Sequence, residues 1–155
     1  GSIRSYVYNG SGSAVAATTI NGSSTAPDLE IHEGNLKITT AGKGIIHSGS
    51  GTVTQATDHT TGVTINATSG VITLAAVALA NATNAEFTVT NSTVQTDSVI
   101  LLTMQDENTT NNAQLSCATH TIANGSFKIS VHHADSAGAT SATASKIHFL
   151  VINNS

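Results

Sequence analysis

The chain has 155 residues, of which only 9% are charged, and its formal net charge is −4 with the histidines counted as neutral. Its five Lys and Arg residues are scattered and form no basic stripe, so we do not expect it to bind nucleic acid. A single cysteine, Cys117, excludes an intrachain disulfide. No apolar run approaches the roughly 20 residues that span a bilayer, so membrane insertion is not expected. Low charge and many β-branched residues favour sheet over helix.

Residues 1–51 predict a β-rich neck that precedes a separate C-terminal domain. A stretch rich in Gly, Ser, Ala and Thr ends at Pro27, and short alternating segments follow at 29–31 and 36–38. Strand units of this length are marginal on their own, so they require stacking against another copy or another domain. No signal peptide is visible, and the first residues, Gly1-Ser2, are typical of a cleaved tag.

Residues 52–155 predict an all-β domain, an antiparallel β-sandwich that we call the knob. Candidate strands recur at roughly the spacing expected of a sandwich or barrel. They cover residues 62–66, 71–74, 86–90, 98–104, 113–119, 127–132 and 146–152, with a weak strand near residue 53. A hairpin turn is predicted at 68–70, loops at 81–84, 91–96, 106–112 and 134–143, and the alanines of 75–80 also permit a helical turn.

The last predicted strand, residues 145–153, is apolar on both faces. Alternation places Ile147, Phe149 and Val151 on one face and His148, Leu150 and Ile152 on the other. A strand on the surface of a monomer needs only one apolar face, so this strand requires cover from a second layer or from a neighbouring copy. Its expected partner strand is 125–131.

The strand predicted at 98–104 shares this two-faced pattern. We therefore predict a subunit interface formed by residues of both strands: Ile100, Leu102, Leu150 and Ile152. Phe87, Phe127 and Phe149 alternate with polar residues and are predicted to lie in the core.

Seven histidines are the most prominent chemical groups in the sequence. In a trimer, one histidine per chain on the three-fold axis would supply three imidazole ligands for a transition metal. His148 is the candidate for such a position, followed by His32 and His47 in the neck. The alternative, which the sequence favours, is that these are ordinary surface or interface histidines, so no cofactor is expected.

No residue pattern predicts an active site. Glycoside hydrolysis needs two opposed carboxylates, and the spacing of the acidic residues nominates no pair. Cys117 shares a strand face with Leu115, which favours a buried thiol over a nucleophile. Any receptor recognition would use the polar loops, where the candidate residues are Asp106, Asn108, Asn111, Asp135 and Thr140.

Several short segments resemble proteins of tailed-phage virions. Residues 28–38, DLEIHEGNLKI, with 42–45, GKGI, resemble a repeat of tail fibres and appendage proteins of marine tailed phages. The segments GVTIN (62–66), AEFTVTNS (85–92), GSFKI (125–129) and IHFLVI (147–152) are similar to a recurrent virion module. These segments are spread over residues 28–152. No catalytic or ligand residues carry over, because the resemblance lies in strands and turns.

The resemblance implies a jelly-roll (TNF-like) knob that forms a homotrimer around a three-fold axis. It also implies a virion protein made in the host cytoplasm, with other virion proteins as partners and a host surface glycan or protein as receptor. Tail fibre, spike, head fibre and capsid decoration are all open roles. We therefore predict a non-enzymatic virion structural protein. The alternatives are a bacterial adhesin or carbohydrate-binding module, and a small hydrolytic spike domain.

Overall fold

The computed structural model describes residues 41, 44, 45, 47, 49–80, 82–106, 114–133 and 142–154. Contacts divide the chain into two units, Gly1–Ile45 and Ile46–Ser155. The strands predicted for the neck, together with His32, lie outside the described residues. The first strand described in the second unit begins at Ser50. The boundary between neck and knob at residues 51 and 52 stays a prediction.

The described part of the chain is all-β and contains eight strands and no helix. The strands are β1 (Ser50–Thr54), β2 (Val63–Thr64), β3 (Ser69–Thr73), β4 (Asn84–Thr90), β5 (Val99–Gln105), β6 (Leu115–Ala123), β7 (Ser126–His133) and β8 (Lys146–Ile152). The helical turn that the alanines of 75–80 permit is not formed. The turn predicted at 68–70 is wrong, because Ser69 and Gly70 already belong to β3.

The strands form two four-stranded sheets, with the order β1-β3-β8-β5 in sheet 1 and β2-β4-β7-β6 in sheet 2. Both are mixed: β1 pairs with β3 and β2 pairs with β4 in parallel, and the remaining pairs are antiparallel. The purely antiparallel arrangement predicted from the sequence is therefore wrong. Parallel neighbours need a crossover connection, and here the crossover from β1 to β3 includes β2, which lies in the other sheet.

The two sheets pack their apolar faces together, as in a β-sandwich. Phe87, Phe127 and Phe149 are all buried, which confirms the prediction that they lie in the core. The rings of Phe127 on β7 and Phe149 on β8 meet across the core with their centroids 6.1 Å apart. Tilted aromatic pairs at this separation add to the stabilisation that comes from burial.

The last strand, β8, lies inside sheet 1 with β3 on one side and β5 on the other. The partner predicted for it, 125–131, lies in β7 of sheet 2, so that pairing is wrong. The two strands do meet, but through the side chains of Phe127 and Phe149 across the core. Alternation specifies which side chains share a face, and it does not specify which strand lies alongside.

Candidate functional site

The outer face of sheet 1 carries an apolar patch, which we define as Val99, Leu101, Leu150 and Ile152. The first two lie on β5 and the last two on β8, and the register pairs Val99 with Ile152 and Leu101 with Leu150. Val99, Leu101 and Ile152 are 45%, 50% and 43% exposed. Large aliphatic side chains that are adjacent on a surface mark a site of interaction more often than scattered ones do.

Polar residues continue this face towards the other end of the two strands. Thr103 pairs with His148 and Gln105 pairs with Lys146. The Nε2 atom of His148 lies 3.0 Å from the Oε1 atom of Gln105, within hydrogen-bonding distance. His148 is thus exposed beside the apolar patch with one ring nitrogen engaged inside the chain. Its place on a three-fold axis stays a prediction.

The four residues predicted as a subunit interface do not share one face. Leu150 and Ile152 belong to the outer face, whereas Ile100 is only 8% exposed and Leu102 packs against the core. Ile100 pairs with Val151, whose side chain also points inward. The prediction for β5 is therefore wrong: Val99 and Leu101 lie on the outer face, and Ile100 and Leu102 do not. The sequence did not reveal this because both faces of β5 are apolar.

Of the residues predicted as receptor-loop candidates, Asp106 lies within the part of the chain that the structure describes. The backbone N–H of Leu115 donates to its Oδ2 at 2.9 Å, and the hydroxyl of Ser145 donates to its Oδ1 at 2.8 Å. Asp106 thereby joins the end of β5 to the start of β6 and to the residue before β8, a structural role that the sequence did not predict. The other receptor-loop candidates lie outside the described residues: Asn108, Asn111, Asp135 and Thr140.

Asparagine side chains hold the loop that connects β4 to β5. Asn91 is fully buried; its Nδ2 donates to the carbonyl of Ala67 at 2.7 Å, and its Oδ1 accepts from the N–H of Thr93 at 3.0 Å. Asn66 and Asn124 each accept a hydrogen bond from a backbone N–H of this loop. The triplet Asn91-Ser92-Thr93 is the signal that sequence reasoning missed, since Asn at this spacing favours a turn held by its own side chain.

A polar cluster lies on the outer face of sheet 2, formed by Glu86 on β4, Lys128 and Ser130 on β7, and His120 on β6. Lys128 Nζ donates to Glu86 Oε1 at 2.5 Å, and His120 Nε2 lies 3.0 Å from Glu86 Oε2 and 3.1 Å from Ser130 Oγ. The hydrogen bond from Lys128 lowers the pKa of Glu86, and its charge and that of His120 act in the same direction. The four residues are too far apart in the sequence for spacing to predict the cluster.

The thiol of Cys117 is not activated for reaction. Cys117 is half-buried on β6, and burial raises the pKa of its thiol, which disfavours the reactive thiolate. Within the described ranges, no three His, Cys, Asp or Glu residues are close enough together to hold a metal ion. The same residues include no helix of the length and hydrophobicity that crossing a membrane requires.

Searches of known protein families, of curated proteins and of solved structures find no match to this chain.

Proposed function

We propose that the protein is a non-enzymatic structural subunit that assembles with copies of itself through the apolar patch of sheet 1. The observation that carries this proposal is the side-by-side exposure of Val99, Leu101 and Ile152 on paired strands. Burial of apolar surface contributes about 25 cal/mol for each Å² removed from water. A second copy is a suitable partner because the patch carries no charge, so two such surfaces meet without repulsion.

The proposed context is a phage virion, where the protein forms the jelly-roll knob of a homotrimeric fibre, spike or decoration protein. This part rests on the sequence segments that resemble virion modules, in particular those at 85–92 and 147–152. Its partners are then other virion proteins and, for receptor attachment, a glycan or protein on the host surface. An adhesin or carbohydrate-binding module is the alternative if the protein works as a monomer.

The molar mass in solution tests the assembly directly. Light scattering on a size-exclusion column is expected to give three times the 15.6 kDa of the chain. Twice that mass would support self-assembly and overturn the trimer. A monomer at all concentrations would overturn the proposal of self-assembly and would favour the alternative, an adhesin or carbohydrate-binding module.

Two variants test whether the copies assemble through the apolar patch. Leu101→Asp and Leu150→Asp place a carboxylate in the centre of the patch, where burial of an unpaired charge is costly, so both are expected to dissociate the assembly. Ser116→Asp is the matched control, because Ser116 is an exposed strand residue on sheet 2. If the Leu101 and Leu150 variants keep the wild-type mass, the patch is not the interface.

A further inference from the structure

We propose that His148 makes the assembly of copies through sheet 1 depend on pH, a step that rests on the proposed function. His148 lies on β8 beside the apolar patch, and alternation puts it on the same outer face as Leu150, two residues further along the strand. While the histidine is neutral, the copies stay together, and when it gains a proton, they separate.

A stable interface through the patch has to cover His148. Stable interfaces bury roughly 800 Å² on each partner, with about 20–30 residues a side, whereas the patch supplies four side chains. The contact therefore extends to the neighbours of the patch. At one end the strands stop, since Val99 begins β5 and Ile152 ends β8. Towards the other end, the next pair on this face is Thr103 and His148, so a copy seated on the patch removes the imidazole from water.

The hydrogen bond to Gln105 specifies which ring nitrogen takes up the proton. Nε2 of His148 lies 3.0 Å from Oε1 of Gln105, and an amide oxygen only accepts hydrogen bonds. The neutral imidazole therefore donates from Nε2, and Nδ1 is the nitrogen that is protonated at low pH. The cation then has a second N–H group, which needs water or another acceptor. A copy packed on this face excludes that water.

The charges around His148 do not compensate for a proton on it. The four strands of sheet 1 contain no Asp or Glu, so neither β3 nor β5, the two neighbours of β8, offers a carboxylate. Asp106, just beyond the end of β5, accepts hydrogen bonds from Ser145 and from the N–H of Leu115. Lys146, on the same face of β8 as His148, adds a charge of the same sign. Protonation therefore opposes the approach of a second copy, whose sheet 1 brings the same residues.

The size of the effect follows from the number of protons that assembly excludes. An imidazole in water ordinarily gains its proton near pH 6.5, and the assembled copies resist that proton. Each excluded proton lowers the association constant by up to about tenfold per pH unit. A trimer excludes one proton at each copy, so its association constant falls by up to about a thousandfold per pH unit. Assembly is therefore strong at pH 7.5 and is lost on acidification.

Light scattering on a size-exclusion column at pH 7.5 and pH 5.5 tests the proposal, at one ionic strength and at the lowest protein concentration that keeps the wild type assembled at pH 7.5. The wild type is expected to become a monomer at pH 5.5, with circular dichroism showing that it stays folded. His148→Gln cannot gain the charge and is expected to stay assembled at both pH values. His148→Lys carries the charge throughout and is expected to be monomeric at both.

His132→Gln is the matched control, because it changes an exposed strand histidine on sheet 2 and is expected to dissociate at pH 5.5 as the wild type does. A wild-type assembly of the same mass at both pH values would overturn the pH control and leave self-assembly in place. Dissociation of His148→Gln to the same extent as the wild type would show that another group is responsible. A wild type that is already monomeric at pH 7.5 at every concentration would overturn the proposed function and the role of His148 with it.

Discussion

At the scale of single residues, neutral amides do much of the internal hydrogen bonding in this charge-poor chain. Gln55 is buried; its side-chain N–H donates to the carbonyl of Thr61 at 2.9 Å, and its Oε1 accepts from the N–H of Ala75 at 3.3 Å. Asn91 has the same role at the segment just before β3, where its side chain donates to the carbonyl of Ala67. Buried polar groups are costly unless they are paired, so these amides are structural components and not only surface residues.

His59 makes stability depend on pH. It is 4% exposed, and burial lowers its pKa below the ordinary value of 6.5, while the charge of Asp58 acts in the opposite direction. Below about pH 6.5 the unfolded chain binds a proton at this residue that the folded chain resists. The contribution of His59 to stability is therefore fully present above that pH and is lost as the pH falls through the folded pKa.

We predict that His59→Gln flattens the decrease in the free energy of unfolding on going from pH 7.5 to pH 5.5. One proton accounts for a slope of at most about 1.4 kcal/mol per pH unit. Urea unfolding at a series of pH values measures the slope, and His132→Gln, at an exposed position on β7, is the control. An identical slope in wild type and His59→Gln would show that His59 is not the group responsible.

At the scale of the elements, the parallel pair β1 and β3 depends on a glycine. A Cβ atom built on Gly70 would lie 2.5 Å from the carbonyl oxygen of Gly51 and 2.9 Å from the ring of Phe149. Real Cβ atoms do not approach backbone oxygens so closely. Gly70 therefore allows the backbones of β1 and β3 to pair over the core ring of Phe149, and its purpose is close packing rather than a turn.

We predict that Gly70→Ala destabilises the fold by about 1–3 kcal/mol, because β1 or the Phe149 ring must shift to admit the methyl group. Urea unfolding monitored by circular dichroism measures the loss. Gly49→Ala is the control, since nothing lies within 4 Å of a Cβ atom at that position. Equal stabilities of the two variants would mean that the close contact at Gly70 is relieved at no cost.

At the scale of the whole molecule, the described strands separate the apolar patch on the outer face of sheet 1 from a polar, hydrogen-bonded cluster on the outer face of sheet 2. Only the first is suited to burial against another copy, because burial of the second would remove Glu86 and Lys128 from water. Assembly through sheet 1 would couple folding to association, since a partner that binds only the folded chain stabilises it by mass action.

We predict that the melting temperature of the wild-type protein rises with protein concentration and that the melting temperature of Leu101→Asp does not. Differential scanning calorimetry over a hundredfold range of concentration makes the comparison, with Ser116→Asp expected to follow the wild type. A wild-type melting temperature that is independent of concentration would argue against assembly coupled to folding.

The sequence by itself determined the β class, the phenylalanine core, the approximate positions of most strands and the presence of a strand with two apolar faces. These properties depend on composition and on alternation with a period of two, and both are local. The phage resemblance and the trimer it implies stay predictions.

Only the tertiary structure decided the parallel pairs, the neighbours of β8, the inward orientation of Ile100, the close packing at Gly70 and the cluster around Glu86. Alternation says which side chains share a face, but when both faces are apolar it does not say which one points inward. Contacts between residues distant in sequence depend on how the sheets come together, and no local pattern contains that information.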